Sequence, residues 1–397
     1  MSPDGATAFT TDQTGALVAW DLSGNRRIGR SFIAGSGATL GPSGGWPFFA
    51  MSQDGRLLAV ISWPRAQAGT IELIDTSDLH VDKRIRYPKS TPEGLAFSPD
   101  STTLAVGSVT YPDDRTHIQS HVRLWDVDSG RPMTSDLPGI PPGVELWVVA
   151  YAPDGNTLAG GGPVYPTKDA SLDEASGRVY LWSTAAPGQL ADSFETPVGR
   201  PVAGPLSFTP DGSRLIVPTG FDDGAISIWD TRARAIVRTA PSVDGGIYAS
   251  DISNDGRTLV TGATDGIVHL WDVASGTPIG TPLTGLKPFT LTVDMSPDGS
   301  TVVGADALGD VLLWDVTTGT VIAGLLPGPS SKEAVAASFT PDGHSVIVVS
   351  DSGSGWIWDV DPSDWETRAC EVAGRSLTHE EWQEFLPDRA YHATCGS

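Results

Sequence analysis

Residues 247–273 read IYASDISNDGRTLVTGATDGIVHLWDV, and this stretch decides the fold. The first segment, 247–253, is short and alternating, as a half-buried β-strand is. Asn-Asp-Gly at 254–256 and Thr-Asp-Gly at 264–266 are tight-turn sequences, and strand-like segments follow each of them. A weaker, more polar segment continues from 274–280. The stretch therefore predicts four short antiparallel strands joined by tight turns.

The same pattern recurs along the 397-residue chain. Turns similar to Pro-Asp-Gly contain Asp4, Asp54, Asp100, Asp154, Asp211, Asp255, Asp298 and Asp342. Strand endings similar to Trp-Asp fall at Asp21, Asp75, Asp126, Ser183, Asp230, Asp272, Asp315 and Asp359. The last three endings are 43 or 44 residues apart. A four-stranded unit of this length cannot bury both faces alone, and stacked units of this kind form the blades of a β-propeller.

These motifs resemble those of the WD40-repeat family. The resemblance covers nearly the whole chain, up to about Val360, and its specific parts are the repeated Leu-Trp-Asp endings and Ser-Pro-Asp-Gly turns. It implies an all-β propeller. The aspartate that such repeats carry in the turn before the third strand is kept at Asp265 and Asp351.

The number of blades depends on how the two chain ends meet. With strands labelled a to d from the central axis outward, the first unit lacks strand a and the last unit lacks strand d. In one closure, strand d of the first unit completes the last of seven blades, and residues 1–25 keep an orphan hairpin. In the other, eight blades form and two are incomplete. We favour seven, because every a and d strand is then used, and we predict a propeller over residues 26–360.

The opening MSPDG recurs from Met295, where the methionine ends a strand a. Met1 therefore occupies the place of such a residue. We expect that strand a of the first unit lies upstream and that the chain is part of a longer polypeptide.

Residues 361–397 break the β pattern and predict two short helices that pack on the propeller. One capping box pairs Ser363 with Glu366, and the other pairs Thr378 with Glu381. Helices of this length are not stable alone, so they need the propeller surface.

This tail resembles the C-terminal end of WD40 regions in large bacterial signalling proteins. In those proteins the propeller follows a switch ATPase, a protein kinase or a transcription regulator. The matching residues are Trp365, Ala369-Cys370, residues 373–382 (AGRSLTHEEW), Tyr391 and Thr394-Cys395. The resemblance implies a role in signalling, with upstream domains of the same polypeptide as possible partners.

Composition excludes several classes of partner. Lys and Arg number 25 against 48 Asp and Glu, a net charge of −23, which repels nucleic acid and anionic membrane surfaces. No apolar run is long enough to span a bilayer. The only cysteines are Cys370 and Cys395, and we favour reduced thiols in the cytoplasm, although a disulfide between them stays open.

No motif for phosphate binding, dinucleotide binding, nucleophilic catalysis or zinc hydrolysis occurs in the sequence. We therefore expect no enzyme activity, no cofactor and no metal site. The alternative hypothesis is a propeller hydrolase with a metal or ligand in the central channel. Its candidate ligands on the strands nearest the axis are Glu93, Glu145, Asp251 and Asp294.

The loops between strands b and c indicate a binding surface instead. These loops are long in units three and four, and in three units they carry an aromatic residue followed by proline. Aromatic residues are favoured anchors in protein interfaces. The predicted partner-binding residues, all on one face, are Trp63, Tyr111, Tyr165, Phe221, Trp46 and Trp147. They predict a non-catalytic scaffold or sensor that binds a protein or peptide. The alternative is that each aromatic fastens its own loop to its blade.

Overall fold

The computed structural model describes most of the repeat region. The described residues are 7–11, 17–21, 29–33, 49–62, 69–87, 90–111, 118–167, 170–185, 189–196, 200–220, 224–240, 245–325, 334–350, 354–361, 376, 378, 379, 383 and 391. Within these residues, no helix is both long enough and apolar enough to cross a membrane.

The unit of residues 247–283, called blade 5 below, shows why the repeated motifs recur. At the turn after its first strand, the Ser253 hydroxyl and the Arg257 N–H both donate to Asp255, at 2.6 and 3.0 Å. Gly256 completes this turn with a φ of +71°, a conformation that glycine adopts without strain. At the end of the third strand, the Asp272 carboxylate accepts from the Ser275 N–H and hydroxyl, both at 2.6 Å, and so fixes the next turn. The two aspartates thus set the turns on one side of the blade.

The strands assemble into seven four-stranded antiparallel sheets and one hairpin. The N-terminal strands are β1 (Thr7–Thr11), β2 (Leu17–Asp21) and β3 (Gly29–Ile33). Blade 1 contains β4 (Phe49–Met51), β5 (Leu57–Ser62), β6 (Thr70–Asp75) and β7 (Val81–Arg86). Blade 2 contains β8 (Thr91–Phe97), β9 (Thr103–Thr110), β10 (Gln119–Asp126) and β11 (Arg131–Pro132). Blade 3 contains β12 (Val148–Tyr151), β13 (Thr157–Val164), β14 (Ser176–Ser183) and β15 (Gln189–Glu195), with a short 3-10 helix at Leu172–Glu174.

The remaining blades repeat this order from the axis outward. Blade 4 contains β16 (Ser207–Phe208), β17 (Arg214–Thr219), β18 (Ala225–Asp230) and β19 (Ala235–Ala240). Blade 5 contains β20 (Ile247–Ile252), β21 (Thr258–Ala263), β22 (Val268–Asp272) and β23 (Thr277–Leu283). Blade 6 contains β24 (Thr290–Met295), β25 (Thr301–Asp306), β26 (Val311–Asp315) and β27 (Val321–Leu325). Blade 7 contains β28 (Ala334–Phe339), β29 (Ser345–Ser350), β30 (Ser354–Asp359) and the N-terminal β3.

The pairing of β3 with β30 completes the seventh blade. β1 and β2 pair only with each other among the described strands, as a two-stranded sheet. The prediction of an all-β, seven-bladed propeller is therefore confirmed. The domain limits at residues 25 and 360 stay predictions.

Apolar side chains from neighbouring blades fill the spaces between the sheets. Between blades 7 and 1, for example, Leu58 and Val60 pack with Ile347 and Val349 in one buried cluster. Similar clusters join the other neighbouring pairs of blades. The ring therefore closes through side-chain packing as well as through the β3–β30 pairing.

The predicted tail helices and both cysteines lie almost entirely outside the described residues. In the tail, the His379 and Tyr391 rings lie 4.7 Å apart, and both side chains are exposed. The helices, their packing on the propeller and the state of the cysteines stay predictions.

Candidate functional site

The candidate site lies on the face that carries the b–c loops and the connections into each strand a. We call it the upper face. Tyr111 shows that these two kinds of loop meet, because this residue follows β9 and contacts residues at and before the start of two inner strands. The inner strands of consecutive blades contact one another around the central channel.

Tyr111 is fixed by its hydroxyl while much of its surface stays in solvent. The hydroxyl lies 2.6 Å from Glu145 and 3.1 Å from Glu93, and both glutamates are buried. Burial, followed by the charges of Glu93 and Glu145, raises the pKa of Tyr111, so the phenol stays protonated and can donate. The residue is nevertheless 42% exposed. Tyr111 therefore fastens its loop to blades 2 and 3 and also presents an aromatic ring.

Two other predicted binding residues lie in different surroundings. Tyr165 is half-buried, and its backbone N–H donates to the Gly143 carbonyl at 3.3 Å. Trp147 is only 6% exposed and packs in the apolar cluster between blades 1 and 2. Trp147 thus supports the core below the upper face, where a partner would reach little of its ring. Its predicted place on an exposed surface does not match this burial.

Trp46, Trp63 and Phe221 lie outside the described residues. Their part in a common aromatic surface stays a prediction. The structure therefore brings Tyr111 together with Glu93 and Glu145, and it leaves the complete six-residue set untested.

Glu93, Glu145, Asp251 and Asp294, the four candidate ligands on the inner strands, are called the channel carboxyls below. Asp251 of β20 and Asp294 of β24 form a pair across blades 5 and 6. Their side chains share a hydrogen bond. Asp251 also accepts from the Met295 N–H at 2.9 Å, and Asp294 accepts from the Phe339 N–H at 2.6 Å. The pair therefore links blade 5 to blade 6 and blade 6 to blade 7.

Burial raises the pKa of Asp251, and burial together with the Asp251 charge raises the pKa of Asp294 well above its usual range. Both residues are half-buried. The pair as a whole thus keeps a proton to higher pH than a free Asp does, and the two carboxyl groups share it in their hydrogen bond.

The four channel carboxyls form two separate groups in the structure. Glu93 and Glu145 meet at Tyr111, whereas Asp251 and Asp294 meet near the other ends of their strands. In the described part of the chain, no group of three His, Cys, Asp or Glu residues has the arrangement of a metal site. The contacts of both carboxyl groups, with Tyr111 and between Asp251 and Asp294, instead join neighbouring blades.

A second exposed group on the upper face was missed by the sequence analysis. Phe289, in the connection from blade 5 to blade 6, is 50% exposed, and Leu308, in the b–c turn of blade 6, is 59% exposed. A signal for Leu308 was present, because it stands where the same turn of blade 5 carries Asp265. Aligning the turns residue by residue would have found it.

Comparison with known families agrees with this architecture. Residues 237–272 match the family described as "WD domain, G-beta repeat". The matched region runs from the outer strand of blade 4 to the Trp-Asp ending of blade 5. The fold is a seven-bladed WD40-type β-propeller.

Curated proteins that are similar to this chain include two from eukaryotes. "Protein groucho" of Drosophila melanogaster is 29% identical over 157 residues, which are 39% of this chain and 20% of the relative. "WD repeat-containing protein slp1" of Schizosaccharomyces pombe is 27% identical over 193 residues, which are 48% of this chain and 34% of the relative. The matched regions thus span about a fifth and a third of these relatives. Neither match supports the bacterial resemblance of the tail.

Among solved structures, the β-propeller domain of Myceliophteria thermophila Cps50 (Swd1) superposes with a TM-score of 0.62. The match covers 84% of this chain and 100% of that domain, at 17% sequence identity. At this identity, the likeness supports the propeller fold alone.

Proposed function

We propose that this WD40 propeller is a non-catalytic scaffold or sensor that binds a protein or peptide on its upper face. The observation that carries the proposal is Tyr111, whose hydroxyl is held by Glu93 and Glu145 while the residue stays 42% exposed. An aromatic side chain that is already fixed loses little conformational freedom on binding, which favours its use as an interface anchor.

Tyr165, Trp63, Phe221, Trp46 and Trp147 complete the proposed binding sector, with Trp147 acting as support from below. The propeller belongs, in this proposal, to a larger cytoplasmic signalling protein of bacterial type, whose upstream domains are further candidate partners. The resemblance of the tail to such proteins supports this part.

The experiment combines capture of partners with measurement of folding. A variant with Tyr111→Ala, Tyr165→Ala and Trp63→Ala is compared with wild type by cross-linking in cell extract, quantitative mass spectrometry and thermal unfolding. We expect the loss of specific partners with retention of the cooperative unfolding transition. Met133→Ala, at a 55% exposed apolar residue just after the outer strand of blade 2, serves as the control and should keep the partners.

Tyr111→Phe separates the two roles of this residue. It keeps the ring but removes the hydroxyl that contacts Glu93 and Glu145. The contradicting outcome has two parts. Tyr111→Phe and the triple variant both lose the cooperative unfolding transition, and the fraction of each variant that stays folded still captures every partner. The aromatics then only fasten loops, and the proposed function is wrong.

A further inference from the structure

Phe289 and Leu308 form an exposed apolar patch between blades 5 and 6. Their backbones are adjacent, because the N–H of Ala307, the residue before Leu308, donates to the Phe289 carbonyl at 3.0 Å. The Tyr248 ring borders the patch in an edge-to-face arrangement, with its centroid 6.3 Å from that of Phe289. We call these three residues the Phe289 patch.

A buried carboxylate holds the patch in place. Asp306 is fully buried, and its carboxylate accepts from the N–H groups of Leu308, Asp310 and Lys287 at 2.8, 3.0 and 2.8 Å. Asp306 thereby ties the turn that carries Leu308 to the connection that carries Phe289. Both apolar side chains are presented by a fixed backbone, so binding to them costs little ordering of the protein.

The backbone of Phe289 is strained. Its φ is +69°, a region that side chains other than glycine adopt only at a cost. Hydrogen bonds on both sides hold this conformation, since the Phe289 N–H donates to the Thr264 carbonyl at 2.8 Å. In blade 5 the equivalent residue is Gly246, whose carbonyl accepts from the Thr264 N–H as that of Phe289 accepts from Ala307. A large exposed aromatic at a strained position points to a role other than stability.

Leu308 also departs from its neighbours in the ring. In blade 5 the same turn position holds the exposed Asp265, whose carboxylate accepts from the Ile267 N–H at 2.9 Å. In blade 6 Asp306 supplies the turn bonds instead, which leaves Leu308 free to face solvent. Blade 6 thus keeps the turn while exchanging its charged tip for an apolar one.

The charges around the patch indicate its partner. Lys287 is paired with Asp310 at 2.8 Å, while the exposed Asp265 and the buried Asp306 add two negative charges. The whole chain carries −23. A partner with basic residues beside its apolar contact would be attracted, and an acidic one or a second copy of this chain would be repelled.

We propose that the Phe289 patch binds a protein segment that presents an apolar side chain flanked by Lys or Arg. This proposal rests on the proposed function and adds a site in blades 5 and 6 with a defined partner chemistry. The segment places its apolar side chain against Phe289 and Leu308, and its basic residues lie beside Asp265.

The test uses labelled peptides with Leu, Phe or Trp at the centre of a Gly-Ser background and with basic, neutral or acidic flanks. Binding to the full chain is measured by fluorescence anisotropy at low and high salt. We expect the basic-flanked peptides to bind most tightly and to weaken with salt. Leu308→Asp and Phe289→Gly should each weaken binding about tenfold or more.

Leu308→Asp copies Asp265 of the equivalent turn in blade 5, and Phe289→Gly introduces a residue that adopts a φ of +69° without strain, so the blade should fold. Phe289→Gly removes the strain and should shift the melting temperature by no more than about 3 °C. The matched control is Ile322→Asp, which places the same charge at an exposed apolar residue on the outer strand of blade 6 and should leave binding unchanged.

Several results would overturn the proposal. These are equal or tighter binding of acidic-flanked peptides, binding that is insensitive to both patch variants, and a large fall in melting temperature for Phe289→Gly. Self-association of the wild type that Leu308→Asp abolishes would do so too, because the occupant would then be a second copy. If peptides bind but depend on Tyr111 instead, the patch assignment fails while the proposed function stands.

Discussion

Asp251 and Asp255 lie four residues apart in blade 5, yet their pKa values move in opposite directions. Asp255 is exposed in the turn after β20, and the hydrogen bond from the Ser253 hydroxyl, followed by that from the Arg257 N–H, lowers its pKa. Asp251 lies on β20 itself, and burial raises its pKa. The same residue type therefore plays two roles: Asp255 fixes a turn as an anion, and Asp251 joins two blades as part of a proton-sharing pair.

The two arrangements also differ in how often they occur. The bond from a Ser or Thr hydroxyl to the turn aspartate recurs at Asp54, Asp100, Asp211, Asp255, Asp298 and Asp342. The paired carboxyls occur once in the described ring, and the equivalent places in blades 1, 2 and 3 hold Ala50, Ala96 and Ala150. The turn aspartate serves each blade by itself, whereas the channel pair serves the contact between particular blades.

The largest effect should come from removing Asp294. Asp294→Ala leaves the Phe339 N–H and the Ser338 hydroxyl without their acceptor and should lower the free energy of unfolding by about 1–3 kcal/mol. Asp294→Asn keeps an acceptor for both and a donor toward Asp251, so its cost at pH 7 should be clearly smaller. Urea unfolding of both variants measures the difference. Equal losses for alanine and asparagine would mean that the hydrogen bonds of Asp294 contribute nothing to the contact.

The pH dependence of stability in Asp294→Asn and in wild type sharpens the comparison. Unfolded Asp loses its proton near pH 3.9, whereas the folded pair keeps one to higher pH, because the pKa of Asp294 is raised. The pair's contribution to stability is therefore fully present below about pH 3.9, and it is lost as the pH rises through the pKa of the folded pair. Asp294→Asn should gain stability relative to wild type as the pH rises from 4 to 8. A constant difference over this range would contradict a shared proton.

The contrast between turn and channel also explains what the sequence could predict. Ser253, Asp255 and Gly256 act within a few residues of one another, so a local motif was enough to predict the turn and, by repetition, the seven blades. Asp251 and Asp294 were recognised as unusual residues on inner strands. Their pairing was not predicted, because it depends on how far one blade is offset from the next.

The upper face shows the same limit. Tyr111 was predicted from its loop, but its contacts with Glu93 and Glu145 join residues of two blades. Trp147 was predicted to lie on the surface because it precedes β12, yet blades 1 and 2 enclose it. The exposure of Phe289 depends on a positive φ held by bonds from neighbouring turns, and neither composition nor spacing indicates that conformation.

The turn after β20 depends on its backbone conformation as well as on the Asp255 carboxylate. Gly256→Ala tests the contribution of the backbone conformation. The substitution puts a side chain at φ +71°, and its Cβ would lie 2.9 Å from Cδ of Pro210 in blade 4. We expect a loss of about 1–2 kcal/mol in the free energy of unfolding. Gly280→Ala is the matched control, because Gly280 also has a positive φ, +65°, but nothing lies within 4 Å of the added Cβ. If both variants cost the same, the contact with Pro210 is unimportant and only the backbone strain counts.

The smallest expected effect tests the charge of the turn aspartate. Asp255→Asn keeps an acceptor for the Ser253 hydroxyl and the Arg257 N–H but removes the anion, and since this turn is exposed the loss should stay below about 1 kcal/mol at pH 7. Because the pKa of Asp255 is lowered, the wild-type advantage is present above about pH 3.9 and disappears as the pH falls through the folded pKa. This dependence is opposite in sign to that of the channel pair.

Unfolding of Asp255→Asn and wild type between pH 2 and 7 measures the difference. The control is Asp154→Asn in blade 3, where Ala152 replaces the serine and the carboxylate accepts only from the Asn156 N–H among the contacts of that turn. Because the carboxylate of Asp154 has one donor fewer, Asp154→Asn should cost less stability than Asp255→Asn at pH 7. An equal loss of stability at both turns would mean that the backbone N–H alone accounts for the effect. The hydrogen bond from the serine hydroxyl would then not explain why serine recurs in these turns.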